Sequence, residues 1–600
     1  MKKLVALLMA LAMLMACVGV TAETVTEVPR NETLYFAGQQ WGTVVSWNII
    51  GTNQNNAMAI AGNEGGYRTL VWETLYMYNP LDGSLTGLLA DGDYAWNEDM
   101  TELTVKIKAA AKWNDGTPVT AADVKATWDI GVKIANGTGN SYKDFVADIE
   151  VVDDLTLKIL AVKTEAGAPV NPLKLLDFLS GTPIAQAAWI NAVDEKFAGD
   201  AASILNYTGM EDGEFVVPHS GPYTYYYADD QKVLLVRDDN YWGQDASMWG
   251  KLPVPKYIGH AMYADNPAGD AALKAGEVDV SQQFISNVQD LWLKDELPIS
   301  TYYEEAPYGM CLTMPTAWYN LNIPALQEVA VRKAIAIAVD YDSIIASAMT
   351  NQSPSFSDVP RSLMNPTEGE QALYDHEAVA DLQWAGLDID GAIAMLDEAG
   401  IVDADGDGWR EYNGEKISLN AVCPQGWTDW EASMEIVAAA GAKIGIEITT
   451  LFPTYDQYQN VFTDPDQTEY CIFMWSPASA SPSQPWGRIY GLLSSSYKGM
   501  KNNWSGNFGQ YENAEVDELL AAIPTMQDEA ELKAAYTRLV EIYLTDVPSF
   551  SLMYRPSVFC TYNESVWTNF PSDDGRNIPP LDCTDGYGIA ALYDLELVGE

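Results

Sequence analysis

Histidine and basic side chains are scarce in this sequence of 600 residues. Its three histidines, His219, His260 and His376, lack the spacing of metal ligands, which excludes a histidine-built metal site. Only 33 Lys and Arg stand against 84 Asp and Glu, so the net charge is −51. Such an acidic surface repels phosphate backbones and anionic lipid headgroups, and nucleic acid is therefore excluded as a partner.

The sequence also lacks the catalytic motifs that short patterns reveal. It contains no phosphate-binding Gly-x-x-x-x-Gly-Lys-Ser/Thr loop, no Gly-x-Ser-x-Gly elbow, no His-Glu-x-x-His and no Cys-x-x-Cys pair. Among so many carboxylates, pairs suited to glycoside hydrolysis always exist, but no two of them are singled out. We assign no catalytic residue and expect the protein not to be an enzyme.

Cysteine is too sparse for a disulfide scaffold. The five cysteines beyond Cys17 are Cys311, Cys423, Cys471, Cys560 and Cys583. Because five is odd, at least one thiol is unpaired. Cys423 and Cys471 lie in apolar strand-like runs, which predicts buried thiols. A disulfide between Cys560 and Cys583 across a loop stays an open alternative.

The N-terminus has the pattern of an export signal. Met1-Lys2-Lys3 is basic and the run Leu4 to Met15 is apolar, but it is shorter than the roughly 20 residues that a membrane span needs. Leu14-Met15-Ala16-Cys17 resembles a lipobox, which predicts lipidation of Cys17 and attachment to the outer face of the cytoplasmic membrane. The alternative is cleavage after Val20-Thr21-Ala22, which gives a secreted or periplasmic soluble protein.

The remainder of the chain has the pattern of a folded α/β protein. Its 19 Trp, 33 Tyr and 14 Phe are too many for a disordered acidic chain. Strand-type runs such as TLYFAG and KVLLVRD alternate with helical ones, which is typical of α/β layers. The run AVRKAIAIAVDYDSIIASAM, residues 330–349, predicts one long amphipathic helix.

Several motifs together resemble one family. WNDGTPVTAADV, Trp113 to Val124, resembles a signature of family 5 extracellular solute-binding proteins, the dipeptide- and oligopeptide-binding family of ABC importers. SGPYTYYYADDQKVLLVRDDNYWG, Ser220 to Gly243, and VPSFSLMY, from Val547, are similar to later motifs of that family, with Ser551 where a proline is common. The resemblance extends in order over about residues 33–560.

The resemblance implies an α/β fold of two lobes that close on a ligand, a type II periplasmic-binding-protein-like clamp. It also implies a monomer that serves ABC permease and ATPase subunits without a cofactor. The implied segments are a signal peptide 1–17, a tether 18–32, lobe one 33–68 with 213–308 and 548–600, an extra subdomain of lobe one 69–212, and lobe two 309–547.

The class of ligand is predicted from an acidic residue that one segment of the sequence lacks. Peptide-binding members of the family carry an Asp for the peptide ammonium in a lobe-two segment that corresponds here to Phe473 to Trp486, which contains no acid. Its tryptophans, serines and glutamine suit a neutral sugar, and PQGWTDWEA and LYFAGQQWGTVVSWN resemble the branch that binds cello- and manno-type oligosaccharides. The candidate ligand-binding residues are Trp41, Trp427, Trp475, Trp486, Gln40, Asn48, Ser481 and Gln484.

Two alternatives to an oligosaccharide-binding protein stay open: an oligopeptide- or dipeptide-binding protein with another acid for the ammonium, and an extracellular glycosidase.

One acidic loop of the sequence resembles part of a calcium-binding loop. Asp403, Asp405 and Asp407 match the first half of a Ca²⁺ loop, but Gly414 stands where the bidentate carboxylate belongs. We interpret the loop as a turn, with Ca²⁺ as the lesser alternative.

Overall fold

The structure is a computed structural model that describes residues 27–38, 44–51, 69–477, 481–501, 506–556, 559–581 and 586–599. Cys17, Gln40, Trp41 and Cys583 lie outside these ranges, as do the predicted signal peptide and residues 18–26 of the predicted tether. The predictions for these residues stay predictions. Among the described residues, no helix combines the length and apolar character that crossing a membrane requires.

The first lobe is built on a seven-stranded sheet. Its central strand, Thr33–Gly38, is parallel to Tyr257–Met262 on one side and to Val280–Ser281 on the other. Leu34 and Phe36 on one face of this strand and Thr33 and Ala37 on the other are all fully buried, as expected of a central strand that is covered on both faces. The strand order is Tyr223–Ala228, Lys232–Arg237, Tyr257–Met262, Thr33–Gly38, Val280–Ser281, Thr561–Asn563, Ile299–Thr301.

The second lobe is built on a five-stranded sheet in the order Glu447–Leu451, Ser418–Val422, Ile472–Trp475, Thr316–Tyr319, Ser549–Ser551. The first three strands are parallel to one another and the last two are antiparallel to their neighbours. Ser549–Ser551 pairs within this sheet, so lobe two extends past the boundary predicted at 547. The main helices of this lobe are Val329–Ala338, Ile389–Glu398, Thr428–Lys443, Tyr455–Phe462, Trp486–Leu493, Ala514–Ala522 and Glu529–Asp546.

The single helix predicted over residues 330–349 is wrong. The helix Val329–Ala338 ends at Val339, whose backbone is extended, and short turns follow at Tyr341–Ser343 and Ile344–Ala348. The Asp340 side chain accepts the backbone N–H of Ser343 and so caps a new turn. An aspartate inside an apolar pattern competes for backbone donors in this way, which ends the helix.

The extra subdomain holds a four-stranded antiparallel sheet in the order Ala95–Trp96, Glu102–Lys106, Thr156–Ala161, Val146–Asp153. Its helices are Ala121–Ile134, Gly137–Tyr142, Pro172–Gly181, Ala187–Lys196 and Ala201–Leu205. Thr120 and Asp123 form a capping box at the start of the first of these helices, in which the Asp123 carboxylate accepts the Thr120 backbone N–H at 2.7 Å. Ile130 and Ile134 share one core with Leu34 and Val233, which ties the subdomain to lobe one.

Smaller elements complete the chain. Two-stranded ladders pair Tyr76–Tyr78 with Leu85–Gly87, Met210–Glu211 with Glu214–Phe215, Cys311–Thr313 with Arg555–Pro556, Glu411–Tyr412 with Glu415–Lys416, and Trp567–Thr568 with Glu596–Leu597. Short helices and 3₁₀ turns are Arg30–Glu32, Trp242–Gln244, Asn266–Lys274, Asp290–Leu293, Pro324–Gln327, Glu368–Gln371, Ala380–Leu382, Ser495–Tyr497, Ile523–Thr525 and Gly586–Tyr593. Cys423 and Cys471 are buried free thiols, as predicted.

Candidate functional site

Three aromatic side chains meet at one edge of the lobe-two sheet. Trp475 is the last residue of the strand Ile472–Trp475, Trp427 follows the strand Ser418–Val422, and Tyr455 follows the strand Glu447–Leu451. These three strands are parallel, so their carboxyl ends lie at the same edge. Ligands of open α/β sheets bind at such an edge.

The aromatic rings form two walls at an angle. The Trp427 and Tyr455 rings are nearly parallel, with centroids 5.6 Å apart and 28° between their planes. Trp430, one helical turn after Trp427, stands almost perpendicular to it at 4.7 Å, and also lies edge-on to Trp475 at 6.5 Å. Trp427 and Trp475 are half-buried, so part of each ring faces the cleft.

Lobe one supplies the opposite wall with amide side chains. Asn266 begins a helix, and Gln282, Gln283 and Phe284 follow the strand Val280–Ser281. With the aromatic residues of lobe two they enclose a cavity of about 180 Å³ between the lobes. Asn266 Nδ2 donates to Thr428 Oγ1 at 3.2 Å, a hydrogen bond from one lobe to the other.

Asp429 and Arg555 form a buried ion pair in this cavity. Arg555 Nε donates to Asp429 Oδ2 at 2.8 Å, the Asp429 side chain is fully buried and that of Arg555 is 10% exposed. The Arg555 guanidinium also lies over the Phe559 ring, 4.4 Å from its centroid. These two residues are the charged ones that line the cavity within the described chain, so its lining has no net charge.

Three buried polar atoms around the cavity have no hydrogen-bond partner among the residues that the structure describes. They are Asp429 Oδ1, Gln283 Oε1 and Trp430 Nε1, two acceptors and one donor. Buried polar groups are normally paired, since leaving one unpaired costs about 1–3 kcal/mol. A hydroxyl-bearing ligand would supply the missing partners only where it reaches these atoms, which have almost no accessible surface in this structure.

The predicted site residues are only partly brought together. Trp427 and Trp475 line the cleft cavity. Trp486 is buried at the start of its helix, donates its Nε1 hydrogen to Leu520 O at 2.8 Å, and lines a different cavity. The apolar face of the helix Trp486–Leu493 sets Trp486 beside the helix Ala514–Ala522. This position places the Trp486 ring away from the Trp427 cavity.

The polar candidates have structural roles. Asn48 is fully buried, its Nδ2 donates to Ile204 O at 2.8 Å and its Oδ1 accepts the Ile50 N–H. Gln484 Oε1 accepts the Arg488 N–H at 2.8 Å, and Ser481 is buried with its hydroxyl 3.1 Å from that of Ser483. None of these three described residues lines the Trp427 cavity, and Gln40 and Trp41 lie outside the described residues.

The sequence interpretation missed most of the cleft lining. The missed residues are Asn266, Gln282, Gln283, Phe284, Asp429, Trp430, Tyr455, Ser476 and Arg555. Trp430 and Tyr455 could have been found, since one lies a helical turn after Trp427 and the other directly follows a strand parallel to that of Trp475. Arg555 and the lobe-one residues carry no local signal, because only the tertiary fold brings them to the cleft.

The acidic turn at 403–411 is exposed and held by its own backbone. Oxygen atoms of Asp403, Asp405, Asp407 and Glu411 lie within 4.8 Å of one another. Asp403 accepts the N–H groups of Gly406 and Gly408, and Asp405 and Asp407 each accept the N–H two residues ahead. Asx-type bonds of this kind account for the aspartates as turn residues.

Comparison with known proteins gives a family and a fold. The family model of bacterial extracellular solute-binding proteins, family 5 (middle part), matches residues 84–499. The oligopeptide-binding protein AppA of Bacillus subtilis is 22% identical over 483 residues, 79% of each chain. Brucella relatives named for ABC-transporter peptide binding are 27% identical over 293 residues, so the match spans about half of their length, 48%, and 47% of this chain.

A solved structure is similar over almost the whole chain. It is a periplasmic oligopeptide-binding protein of an ABC transporter from Thermotoga maritima, crystallised with mannohexaose bound. It is 27% identical, covers 96% of this chain and 100% of its own, and superposes with a TM-score of 0.80. The predicted two-lobe α/β clamp is therefore confirmed.

Proposed function

The chain belongs to family 5 of the bacterial extracellular solute-binding proteins, and from this premise we propose that it serves an ABC importer by capturing a neutral oligosaccharide between its lobes. The observation that carries this proposal is the Asp429–Arg555 ion pair. A ligand that contacts this pair meets a cavity lining without net charge.

A zwitterionic peptide fits this lining poorly. Burying its ammonium group requires a carboxylate partner, because an unpaired buried charge is strongly unfavourable. Asp429 is the carboxylate among the described residues of the cavity lining, and Arg555 already neutralises it. A neutral ligand needs no counter-charge, and a hydroxyl that reaches the unbonded oxygen of Asp429 would supply its missing partner.

The aromatic walls suit pyranose rings. A sugar presents apolar C–H faces and a rim of hydroxyls, so it stacks on an indole while its rim hydrogen-bonds. Trp427, Tyr455, Trp430 and Trp475 supply such faces in the cleft. The mannohexaose bound by the similar Thermotoga maritima protein supports a cello- or manno-type oligosaccharide as the ligand class.

Capture works by closure of the clamp. The cleft lining comes from both lobes, so a ligand makes its full set of contacts only when the lobes are together. It shifts the open–closed equilibrium by the difference between its affinities for the two states. The closed, loaded protein then delivers the ligand to the permease, whose transport the ATPase subunits drive. The protein itself performs no reaction on the ligand.

An oligopeptide is the second candidate ligand. Relatives such as AppA are named for oligopeptide binding, and Asp429 is an acid within the cleft. For a peptide ammonium to use Asp429, it must compete with Arg555 for the same carboxylate.

A thermal-shift screen tests the proposed function. Mannohexaose and cellohexaose are compared with tri- to nonapeptides, because a ligand that binds only the native state raises the unfolding temperature. The proposal predicts a shift with at least one oligosaccharide, no shift with peptides, and no shortened sugars after prolonged incubation. Shifts with peptides alone would favour the second candidate, and sugar cleavage would favour a glycosidase.

We also propose that Cys17 carries a lipid that holds a monomeric protein at the outer face of the membrane. Cys17→Ala should release the protein from the detergent phase into the aqueous phase. Unchanged partitioning of the variant would instead support cleavage after Ala22 and a soluble secreted or periplasmic protein.

A further inference from the structure

A second, larger cavity of about 420 Å³ lies where the extra subdomain meets lobe two. The extra subdomain contributes Phe145, Val170 and Asn171, and lobe two contributes Trp486, Tyr490 and Leu520 among its walls. We name it the seam cavity. Its volume is within the range of about 300–1,000 Å³ that is usual for small-molecule sites.

The walls of the seam cavity are mainly apolar and aromatic. The Trp486 and Tyr490 rings stack with centroids 4.7 Å apart and 29° between their planes. Because the Trp486 Nε1 hydrogen is donated to Leu520 O, this indole offers the cavity apolar surface. Phe145 and Val170 lie in the facing wall from the extra subdomain. This lining favours a ring compound.

Asn171 adds a buried hydrogen-bond donor without a partner to this lining, which also contains the hydroxyl residues Thr164, Ser494, Ser495 and Ser496. Asn171 is 1% exposed, and its Oδ1 caps the helix Pro172–Gly181 by accepting the N–H groups of Leu173 and Lys174. Its Nδ2 has no hydrogen-bond partner in the described part of the chain. A buried amide donor without a partner is unfavourable, so a ligand acceptor at this position gains a hydrogen bond.

The charges at the cavity exclude an anionic ligand. Asp517 is the ionisable residue in the described lining, and its carboxylate accepts both the N–H and the hydroxyl of Ser495. No Lys, Arg or His stands among the described lining residues, and the chain carries a net charge of −51. An anion therefore has no partner there, and it is the mainly apolar walls, not the carboxylate, that favour an uncharged ligand.

We propose that the seam cavity binds a neutral ring compound with a carbonyl or ether acceptor, and that this ligand holds the lobes together. The inference goes beyond the proposed function, because this site is separate from the sugar-binding cleft. Ile130 and Ile134 tie the extra subdomain to the core of lobe one, so opening the clamp separates the two walls. The ligand then has a higher affinity for the closed state, and the two sites assist each other's binding.

Equilibrium dialysis with coumarin, a neutral ring compound with a carbonyl acceptor, tests the site. Asn171→Asp keeps the capping oxygen but loses the Nδ2 donor, so coumarin affinity should fall about tenfold, as expected when one buried hydrogen bond is lost. Ala521→Trp fills the cavity and should abolish coumarin binding. Ala522 is the next residue, is exposed and lies outside the lining, so Ala522→Trp should bind coumarin as the unmodified protein does. Absence of coumarin binding, or equal binding by all variants, would overturn the proposal.

Small-angle scattering tests the effect on the lobes. Without any sugar present, saturating coumarin should decrease the radius of gyration of the unmodified protein but not of Ala521→Trp. Coumarin binding with an unchanged radius would overturn the closing role. Neither experiment contains an oligosaccharide, so its outcome is independent of whether the cleft binds sugar.

Discussion

Asp177 and Ser483 join the two lobes through a pair of hydrogen bonds. The Asp177 carboxylate accepts the Ser483 backbone N–H at 3.0 Å and the Ser483 hydroxyl at 2.6 Å. Asp177 lies on the helix Pro172–Gly181 of the extra subdomain, Ser483 belongs to lobe two, and both are buried. The bonds require contact between the lobes, so they stabilise the closed arrangement.

Ser483→Ala should therefore weaken binding of the cleft ligand without altering the cleft. Loss of a buried hydrogen bond to a charged group is worth about 1.5–3 kcal/mol, which predicts a roughly tenfold to hundredfold decrease in affinity by calorimetry. Lys174→Met is the matched control, because Lys174 donates to the same carboxylate at 2.7 Å from within its own helix. An unchanged affinity in Ser483→Ala would show that this contact does not contribute to closure.

Trp427→Ala should weaken oligosaccharide binding by about tenfold to a hundredfold, since burial of an aromatic face contributes about 1.5–3 kcal/mol. Trp427→Phe keeps a smaller ring and should recover part of the loss. Trp409→Ala is the control, because Trp409 packs beside Lys416 outside the cleft lining. Titration calorimetry measures all three, and equal affinities for Trp427→Ala and Trp409→Ala would contradict the stacking role.

Asp429→Asn should destabilise the fold by about 3–5 kcal/mol, because it leaves the buried Arg555 guanidinium without its counter-charge. The double variant Asp429→Asn with Arg555→Met removes both charges and should regain much of that stability. Urea denaturation followed by tryptophan fluorescence measures the free energies of unfolding. A double variant as unstable as Asp429→Asn would argue against charge compensation as the role of the pair.

The pH dependence of stability should include a contribution from Glu73. Burial raises the pKa of Glu73 from its ordinary 4.5 to about 8, although Tyr241 and Trp242 donate hydrogen bonds to it. Between these values the folded state holds a proton that the unfolded state has lost, so stability falls as the pH rises through this range. Glu73→Gln cannot titrate, and its urea midpoint should fall less between pH 5 and 8.

Other groups act in the same direction as Glu73. Burial raises the pKa of Asp270 to about 7 and that of Asp279 to about 6, so Glu73→Gln should remove only part of the slope. Exposed Glu98→Gln is the control and should retain the full slope. Parallel curves for the unmodified protein and Glu73→Gln would contradict the raised pKa.

Local patterns predicted the elements of the fold better than the site. TLYFAG and KVLLVRD both form strands of the lobe-one sheet, because each run carries the pattern of a strand in its own residues. Of the predicted ligand-binding residues, Trp427 and Trp475 line one cavity, since each lies at the carboxyl end of a parallel strand of the same sheet. Trp486 follows no strand end, and its helix buries it in another part of lobe two.

The charge of the site depends on residues that are distant from one another in the sequence, and a local segment does not reveal them. The segment Trp475 to Trp486 contains no acid, yet Asp177 of the other lobe binds its Ser483. Asp429 lies two residues after Trp427, but Arg555, the residue that neutralises it, lies 126 positions further along the sequence. The sequence therefore predicted a neutral ligand from a segment of which, among the described residues, Trp475 and Ser476 line the cleft cavity, and the tertiary contact between Asp429 and Arg555 supplies the stronger argument.

Titration calorimetry of mannohexaose and of a zwitterionic nonapeptide, each at low and high salt, distinguishes a cleft for neutral sugars from a cleft for peptides. The account predicts heat of binding for mannohexaose or its cello-type counterpart, with an affinity that barely changes with salt because the ligand carries no charge. The peptide should give no binding heat. Tight, salt-sensitive binding of the peptide, with the oligosaccharides inert, would contradict the neutral-ligand account.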